Sequence, residues 1–282
     1  MDAGQRSVLI TGCSSGIGRA TALLLRQRGY RVFATARRAE DVATLASAGL
    51  ESFQLDLTAS ESIRAAVTAV LDRTQGCLHG IVNNGAYGQP GAVEDLTRDA
   101  LREQFETNVF GTQELTNLVI PAFRAQSFGR IIQISSLLGV VCLAYRGAYS
   151  ASKFALEALS DTLRLELRGT GIHVILVEPG PISSRFRENA YGAYLRNIDR
   201  GRSAHRDYYT HVEARLGGAR PLPFTLGPEA VARTVASALE ARHPRIRYPV
   251  TAPTRFLAIA KRLLSGNALD RLAAAIGSGG ER

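Results

Sequence analysis

The chain has 282 residues, 45% of them apolar, with 34 basic and 25 acidic side chains for a formal charge of +9. That is enough apolar material for a full globular core, and no apolar run approaches the length of a membrane span. Cys13, Cys77 and Cys142 are odd in number and form no C-x-x-C pair, so neither a disulfide framework nor a metal site is expected, and a reducing cytoplasm is the expected compartment.

No linker, repeat or low-complexity tract divides the sequence, and one domain over 1–282 is expected. The basic surplus would suit an anionic partner. Its arginines are dispersed without an aromatic stripe, however, which favours a solvated basic surface over nucleic-acid binding. The N-terminus enters a strand-like run by Ser7 with no signal-peptide pattern before it.

Residues 7–11 form a short apolar strand running directly into Gly12-Cys13-Ser14-Ser15-Gly16-Ile17-Gly18, and an amphipathic helix follows over 17–28. Strand, glycine-rich turn and helix in that order suit a pyrophosphate: glycines admit close backbone approach, and the helix N-terminus supplies unpaired N–H groups and a favourable dipole. Ser14 and Ser15 add hydroxyls. The second strand, 30–36, ends in Ala36-Arg37-Arg38. A carboxylate there would bind the ribose hydroxyls of NAD, whereas arginine accommodates the 2′-phosphate of NADP. NADP is therefore predicted, with Arg37 the main phosphate ligand and Arg38 the second.

A third strand, 51–56, closes on Asp56-Leu57, and Thr58-Ala59-Ser60-Glu61 has capping-box spacing for a helix reaching about residue 73. A buried strand over 78–82 delivers Asn83-Asn84-Gly85-Ala86 to the edge where open parallel sheets bind ligands. Asn83 can act there as donor and acceptor, or simply form an Asx turn. A long helical pattern over 95–126 is interrupted near Asn108, a residue that competes for backbone hydrogen bonds in mid-helix.

The strand 129–135 delivers Ser136 to the same edge, 13 positions before Tyr149. In the helix that follows, Tyr149 and Lys153 stand one turn apart on one face, so the ammonium is expected to pull the phenol below its usual pKa of about 10 and fit it for proton transfer. Lys153 and Lys261 are the only lysines among the 34 basic residues, and a compact ammonium differs chemically from a guanidinium fork. Leu156, Leu159, Leu163 and Leu167 are predicted to pack inward. A sixth strand, 172–177, ends at Glu178-Pro179-Gly180-Pro181. This alternation predicts a doubly wound parallel α/β sheet of about seven strands, Rossmann-like, in a single domain.

Residues 183–226 are poorly periodic, carry Tyr191, Tyr194, Tyr208 and Tyr209, and could close over substrate. The aromatics suggest an apolar guest; Arg185, Arg187, Arg196, Arg200, Arg202 and Arg206 could receive an anion. Gly227-Pro228-Glu229 starts a helix, and 245–250 is the last strand. The amphipathic segment 254–276 begins with a basic stretch, 254–264, that could rest on a membrane surface; packing on its own domain or a second subunit is the preferred expectation.

In order along the chain, Thr11-Gly12-x-x-x-Gly16-x-Gly18, Asp56, Asn83-Asn84-Gly85, Asn108, Ser136, Tyr149-x-x-x-Lys153 and Pro179-Gly180 resemble the compact, single-domain branch of the short-chain dehydrogenase/reductase family. The resemblance implies that Tyr149 donates a proton to a carbonyl oxygen that Ser136 also hydrogen-bonds. It further implies that Lys153 binds the nicotinamide ribose, that Asn108 holds a relay water, and that Pro179, Gly180, Ile182 and Ser184 border the nicotinamide. Gly12, Ser14, Ser15, Gly16, Ile17, Gly18, Asp56, Leu57, Asn83 and Gly85 would complete the cofactor site. Gly85-Ala86 reverses the family's usual Ala-Gly, a change the adenosine pocket should tolerate.

Residues 183–187, 224–229 and 247–250 look like a bacterial NADP-dependent aldehyde reductase subgroup near the hydroxysteroid and retinol dehydrogenases. The expected activity is NADPH-dependent reduction of an aldehyde or ketone, reversible toward the alcohol, by a homodimer or homotetramer. The alternatives are a ketoacyl-thioester reductase and, from another class, a non-catalytic NADPH sensor.

Overall fold

The computed structural model describes residues 6–218 and 223–277. Its centre is one sheet: β1 (Ser7–Ile10), β2 (Arg31–Ala36), β3 (Glu51–Gln54), β4 (Gly80–Asn83), β5 (Gly129–Ile134), β6 (Ile172–Glu178) and β7 (Arg247–Pro249), in the spatial order β3-β2-β1-β4-β5-β6-β7. All pairings are parallel, as the alternation predicted. The chain winds outward from β1 to β3, returns, and winds the other way from β4. The switch point lies between β1 and β4, where open α/β sheets hold ligands beyond their strand carboxyl ends.

Side-chain alternation divides the core into two layers. Ile10, Val82, Ile132 and Ile175 stand side by side in register on one face. They pack against α1 (Gly16–Gln27) through Leu25 and, from farther along the chain, against α9 (Pro228–Glu240) through Val231 and Val235. Leu9, Ile81, Ile131 and Val174 face the other way. They meet Val67 and Val70 of α3 (Ser60–Thr74), Leu115, Val119 and Phe123 of α5 (Gly111–Ala125), and Leu163 of α6 (Gly147–Glu166). Each such fully buried aliphatic side chain contributes about 1.5–3 kcal/mol. A short α2 (Ala39–Ser47), which the sequence reading omitted, joins β2 to β3.

Three expectations change. Thr58 does not cap α3: the Asp56 carboxylate instead accepts the Thr58 N–H at 2.9 Å and its hydroxyl at 2.8 Å, and the helix starts after Ala59 with no side-chain cap. A local Asx turn has outcompeted the capping box. Leu159 is 39% exposed while Leu156 and Leu167 are buried, because the buried face of α6 runs through Lys153, Glu157 and Ser160. The interruption expected near Asn108 is present: the long central helix is α4 (Arg98–Phe105) joined to α5 through one π turn at Glu106–Phe110, and Asn108 sits inside that turn, buried.

The third change concerns the excursion 183–226, whose described part is largely helical: α7 (Phe186–Asn197) and α8 (Arg206–Gly217). Residues 219–222 lie outside the described residues. Tyr194 and Tyr209 form the lid's own core with Val212 and Ile198. The Tyr209 hydroxyl donates to Asp95 and accepts the Ala92 N–H at 2.9 Å, and Tyr208 stacks on Tyr145 at 4.1 Å between centroids. These aromatics anchor the lid to the body rather than line a substrate space.

Of the C-terminal helices α10 (Ala252–Leu263) and α11 (Gly266–Gly277), α10 packs on its own domain, burying Leu257 against Leu137 and Val141. Lys261 donates to the Val140 carbonyl at 2.6 Å.

Candidate active site

The carboxyl ends of β1, β4, β5 and β6 open into one cleft of about 360 Å³, lined at one end by the glycine turn and at the other by Ser136, Tyr149 and Lys153. At the glycine end, Gly12 and Gly16 have φ of +70° and +54°, which side-chain-bearing residues rarely adopt. A Cβ on Gly18 would stand 2.3 Å from the Gly12 carbonyl oxygen. Gly18 thus packs α1 against the turn, whereas Gly12, Ser14, Ser15, Gly16 and Ile17 line the cleft. No side chain caps α1, although Ser15 stands at its N-cap, and its first turn holds no acidic residue. Free N–H groups, a positive dipole end and close backbone approach form a cradle that fits a diphosphate.

The paired asparagines differ from the reading that singled out Asn83. Its amide donates to Thr116 of α5 at 2.8 Å, pointing away from the cleft. Asn84 braces the turn instead, donating to the carbonyls of Thr11 at 2.9 Å and Gly12 at 3.1 Å. Gly85 lines the cleft; a Cβ there would meet Leu57 Cδ1 at 2.9 Å, so the reversed Gly85-Ala86 order is what this packing allows. Asp56, Leu57, Arg37 and Arg38 are not part of the cleft wall. Arg38 is held by Asp41 at 3.0 Å and Glu40 at 3.3 Å, while Arg37, exposed at the end of β2, enters no ion pair among the described residues.

At the other end, α6 carries Tyr149 and Lys153 on its inner face, as the spacing predicted. The Tyr149 ring meets Phe186 of the lid edge-on at 5.3 Å. Lys153 is 3% exposed, donates to the Ile134 carbonyl at 2.7 Å, and holds its Nζ 5.8 Å from the Tyr149 ring centroid. Burial pushes the phenol up to about 12, opposed by a hydrogen bond with Ser136. The lowering expected from Lys153 is not found: enclosure, which favours the neutral phenol, is the main cause of the shift, and Ser136 is the group that opposes it. Burial also draws Lys153 down to about 8, against the attraction of Glu157 one turn further along α6. Ser136 Oγ accepts the Leu138 N–H at 3.1 Å.

Asn108 lies behind this group, not on the cleft wall. Its Oδ1 accepts the Tyr87 N–H at 3.2 Å, and its Nδ2 donates to the Tyr87 carbonyl and to Ser152 Oγ, each at 3.0 Å. The π turn aims the amide at α6 and at the segment after β4 together. Pro179, Gly180, Ile182 and Ser184 line the cleft between its two ends.

Sequence reasoning missed the support behind Lys153. Arg247 of β7 donates to Glu157 at 3.0 Å and to Asp161 at 2.6 Å, and its Nε stands 3.2 Å from Glu178. Glu178 is 2% exposed and directly precedes Pro179. Desolvation, followed by the neighbouring Glu157, raises its carboxyl to about 7. The i,i+4 spacing of Lys153 and Glu157 was the one available signal, since the partners lie 86 and 90 positions from Arg247.

A family model of short chain dehydrogenases matches residues 6–194. The chain belongs to the short-chain dehydrogenase family. Among relatives, it is 41% identical over 268 residues to the uncharacterized oxidoreductase YbbO of Escherichia coli K12, covering 95% of this chain and 94% of that one. It is 34% identical over 266 residues to human 17-beta-hydroxysteroid dehydrogenase type 1, covering 89% and 78%. Among solved structures, an actinorhodin polyketide ketoreductase variant with NADPH superposes with a TM-score of 0.71 at 29% identity, covering 88% and 96%. This short-chain dehydrogenase is an oxidoreductase acting on carbonyl or alcohol groups, and among its described residues no helix is long and apolar enough to cross a membrane.

Proposed function

We propose that this dehydrogenase uses NADPH to reduce an aldehyde or ketone, reversibly toward the alcohol. The observation that carries the reading is the single cleft with a diphosphate cradle at one end and Ser136, Tyr149 and Lys153 at the other. Gly12, Ser14, Ser15, Gly16 and Ile17 would hold the diphosphate, and Pro179, Gly180, Ile182 and Ser184 the nicotinamide side. A nicotinamide bound there would supply the hydride for the carbonyl carbon. Tyr149, kept protonated by its enclosure, gives its proton to the carbonyl oxygen, and Ser136 hydrogen-bonds the same oxygen as charge develops. Lys153, with its ammonium anchored on the Ile134 carbonyl, fixes the ribose, and Asn108 holds the geometry of α6 through Ser152.

The preference for NADPH rests on β2. No carboxylate stands at Ala36, Arg38 is already engaged by Glu40 and Asp41, and the exposed Arg37 is the guanidinium free to meet a 2′-phosphate. Oxidation of NADPH and NADH is to be compared against aldehydes, ketosteroids, retinal and acyl thioesters. At least a tenfold preference for NADPH is expected, and Ala36→Asp with Arg37→Ala should shift it toward NADH. An unchanged cofactor ratio in that variant would place phosphate selection elsewhere.

A further inference from the structure

The lid pairs its arginines with acids. Arg185 meets Glu188 at 3.1 Å, Arg196 meets Glu103 at 3.4 Å, and Arg200 meets Glu213 at 2.8 Å. Arg187 donates to the Gly218 carbonyl at 3.2 Å. Arg215, in the last turn of α8, differs from these. It is half-buried, lines the cleft, and makes no hydrogen bond or ion pair with any described residue. Burial lowers its pKa, and no charged group contributes to that shift. The acid one half-turn away, Glu213, is committed to Arg200 and to the Tyr194 hydroxyl.

The cleft as a whole repeats the imbalance. Arg146, Lys153, Arg187 and Arg215 line it, and among the described residues no aspartate or glutamate does. Lys153 is satisfied by the Ile134 carbonyl and Arg187 by that of Gly218. The same cleft wall carries Leu138, Leu143, Phe186, Ala190 and Leu216, the last of them next to Arg215 along α8. A partly desolvated guanidinium costs free energy unless an anion meets it, and the planar fork suits a carboxylate in two-point contact.

We propose that the substrate is an apolar chain carrying its carbonyl at one end and a carboxylate at the other, and that Arg215 receives the carboxylate. The inference rests on the carbonyl-reductase reading and adds the charge of the substrate to it. Arg215 acts through binding alone: it enters neither the hydride nor the proton step.

The test compares nonanal with its ω-carboxylate counterpart as substrates for the wild type, Arg215→Gln and Arg215→Lys, with the KM for NADPH followed in each. The wild type should prefer the carboxylate by at least tenfold in kcat/KM. Arg215→Gln should erase that preference by raising KM for the carboxylate alone, with nonanal turnover, KM for NADPH and melting temperature held. Arg215→Lys should restore part of it.

Equal use of both aldehydes by the wild type, or an unaltered preference in Arg215→Gln, would overturn the inference while leaving the reductase reading intact. A rise in KM for NADPH with both aldehydes affected alike would also overturn it, because the anion would then be the cofactor's diphosphate. Absence of turnover with any carbonyl would remove the reductase reading and this inference together.

Discussion

Replacing Tyr149 by Phe is expected to lower turnover at least about a hundredfold, the usual scale for losing a positioned proton donor. The ring is retained, so its edge-on contact with Phe186 at 5.3 Å and the packing of α6 should survive. What is lost is one hydroxyl whose proton enclosure holds on oxygen, with a pKa pushed up to about 12. That direction suits the donor's role in reduction, since the phenol arrives charged with its proton throughout the neutral range. The glycine cradle at the far end of the cleft is untouched, and binding of NADPH, followed by nucleotide fluorescence, should stay within about twofold. Wild-type turnover in the variant would sink the assignment of Tyr149.

The second large effect is on stability and concerns Glu178. Its carboxyl is raised from 4.5 to about 7 in the folded chain, so the folded state holds a proton that the unfolded state has released. Its stabilising contribution is therefore fully present below about pH 4.5 and is lost as pH rises to about 7, a swing on the order of 3 kcal/mol. Desolvation is the main cause, with Glu157 and Asp161 adding to it and Arg247 and Arg262 opposing.

His79 slopes the other way. Burial lowers its pKa to about 4, so its contribution grows as pH rises from there toward 6.5. Because the wild type and Glu178→Gln share His79, their difference isolates the carboxyl. Glu178→Gln should melt progressively higher relative to the wild type between pH 5 and 8. Parallel melting curves over that range would show that Arg247 alone holds Glu178 charged at no cost.

Much of this architecture is local enough to be read along the chain. The glycine turn, the strand-helix alternation, the end of β2 and the Tyr149–Lys153 spacing each depend on residues within one or two elements, and their neighbours in sequence are their neighbours in space. The support network is not of that kind. Arg247 meets Glu157, Asp161 and Glu178 only because β7 lies beside β6, on which α6 packs.

The lid hid its helices for a different reason. Tyr194, Tyr209 and Val212 bury into a small core of their own, while arginines and acids occupy the remaining positions, so no single stripe announces the helical period. Asn83 and Asn84 illustrate a third limit. Both are amides at a strand end, and the pleat decides which points toward α5 and which toward the glycine turn. Thr58 shows the same competition at one residue, where an upstream aspartate claimed the hydroxyl first.

The π turn at Glu106–Phe110 separates what this helix packs from what it positions. A π turn holds one residue more than an α turn, so losing a single codon there would let the helix heal into a continuous α-helix. Because the extra residue is the one the bulge absorbs, α5 would keep nearly its present phase, with Leu115, Val119 and Phe123 still facing the sheet and Gly111 still pressed against the Leu57 carbonyl, where a Cβ would come within 1.8 Å of that oxygen. What would go is the turn that aims the Asn108 amide at Tyr87 and Ser152. An in-frame deletion of one residue within 106–110 should therefore leave a folded chain whose α6 is unbraced at Ser152, whereas a deletion within the regular turns of α5 should rotate the residues beyond it by about 100° and carry its apolar face off the sheet.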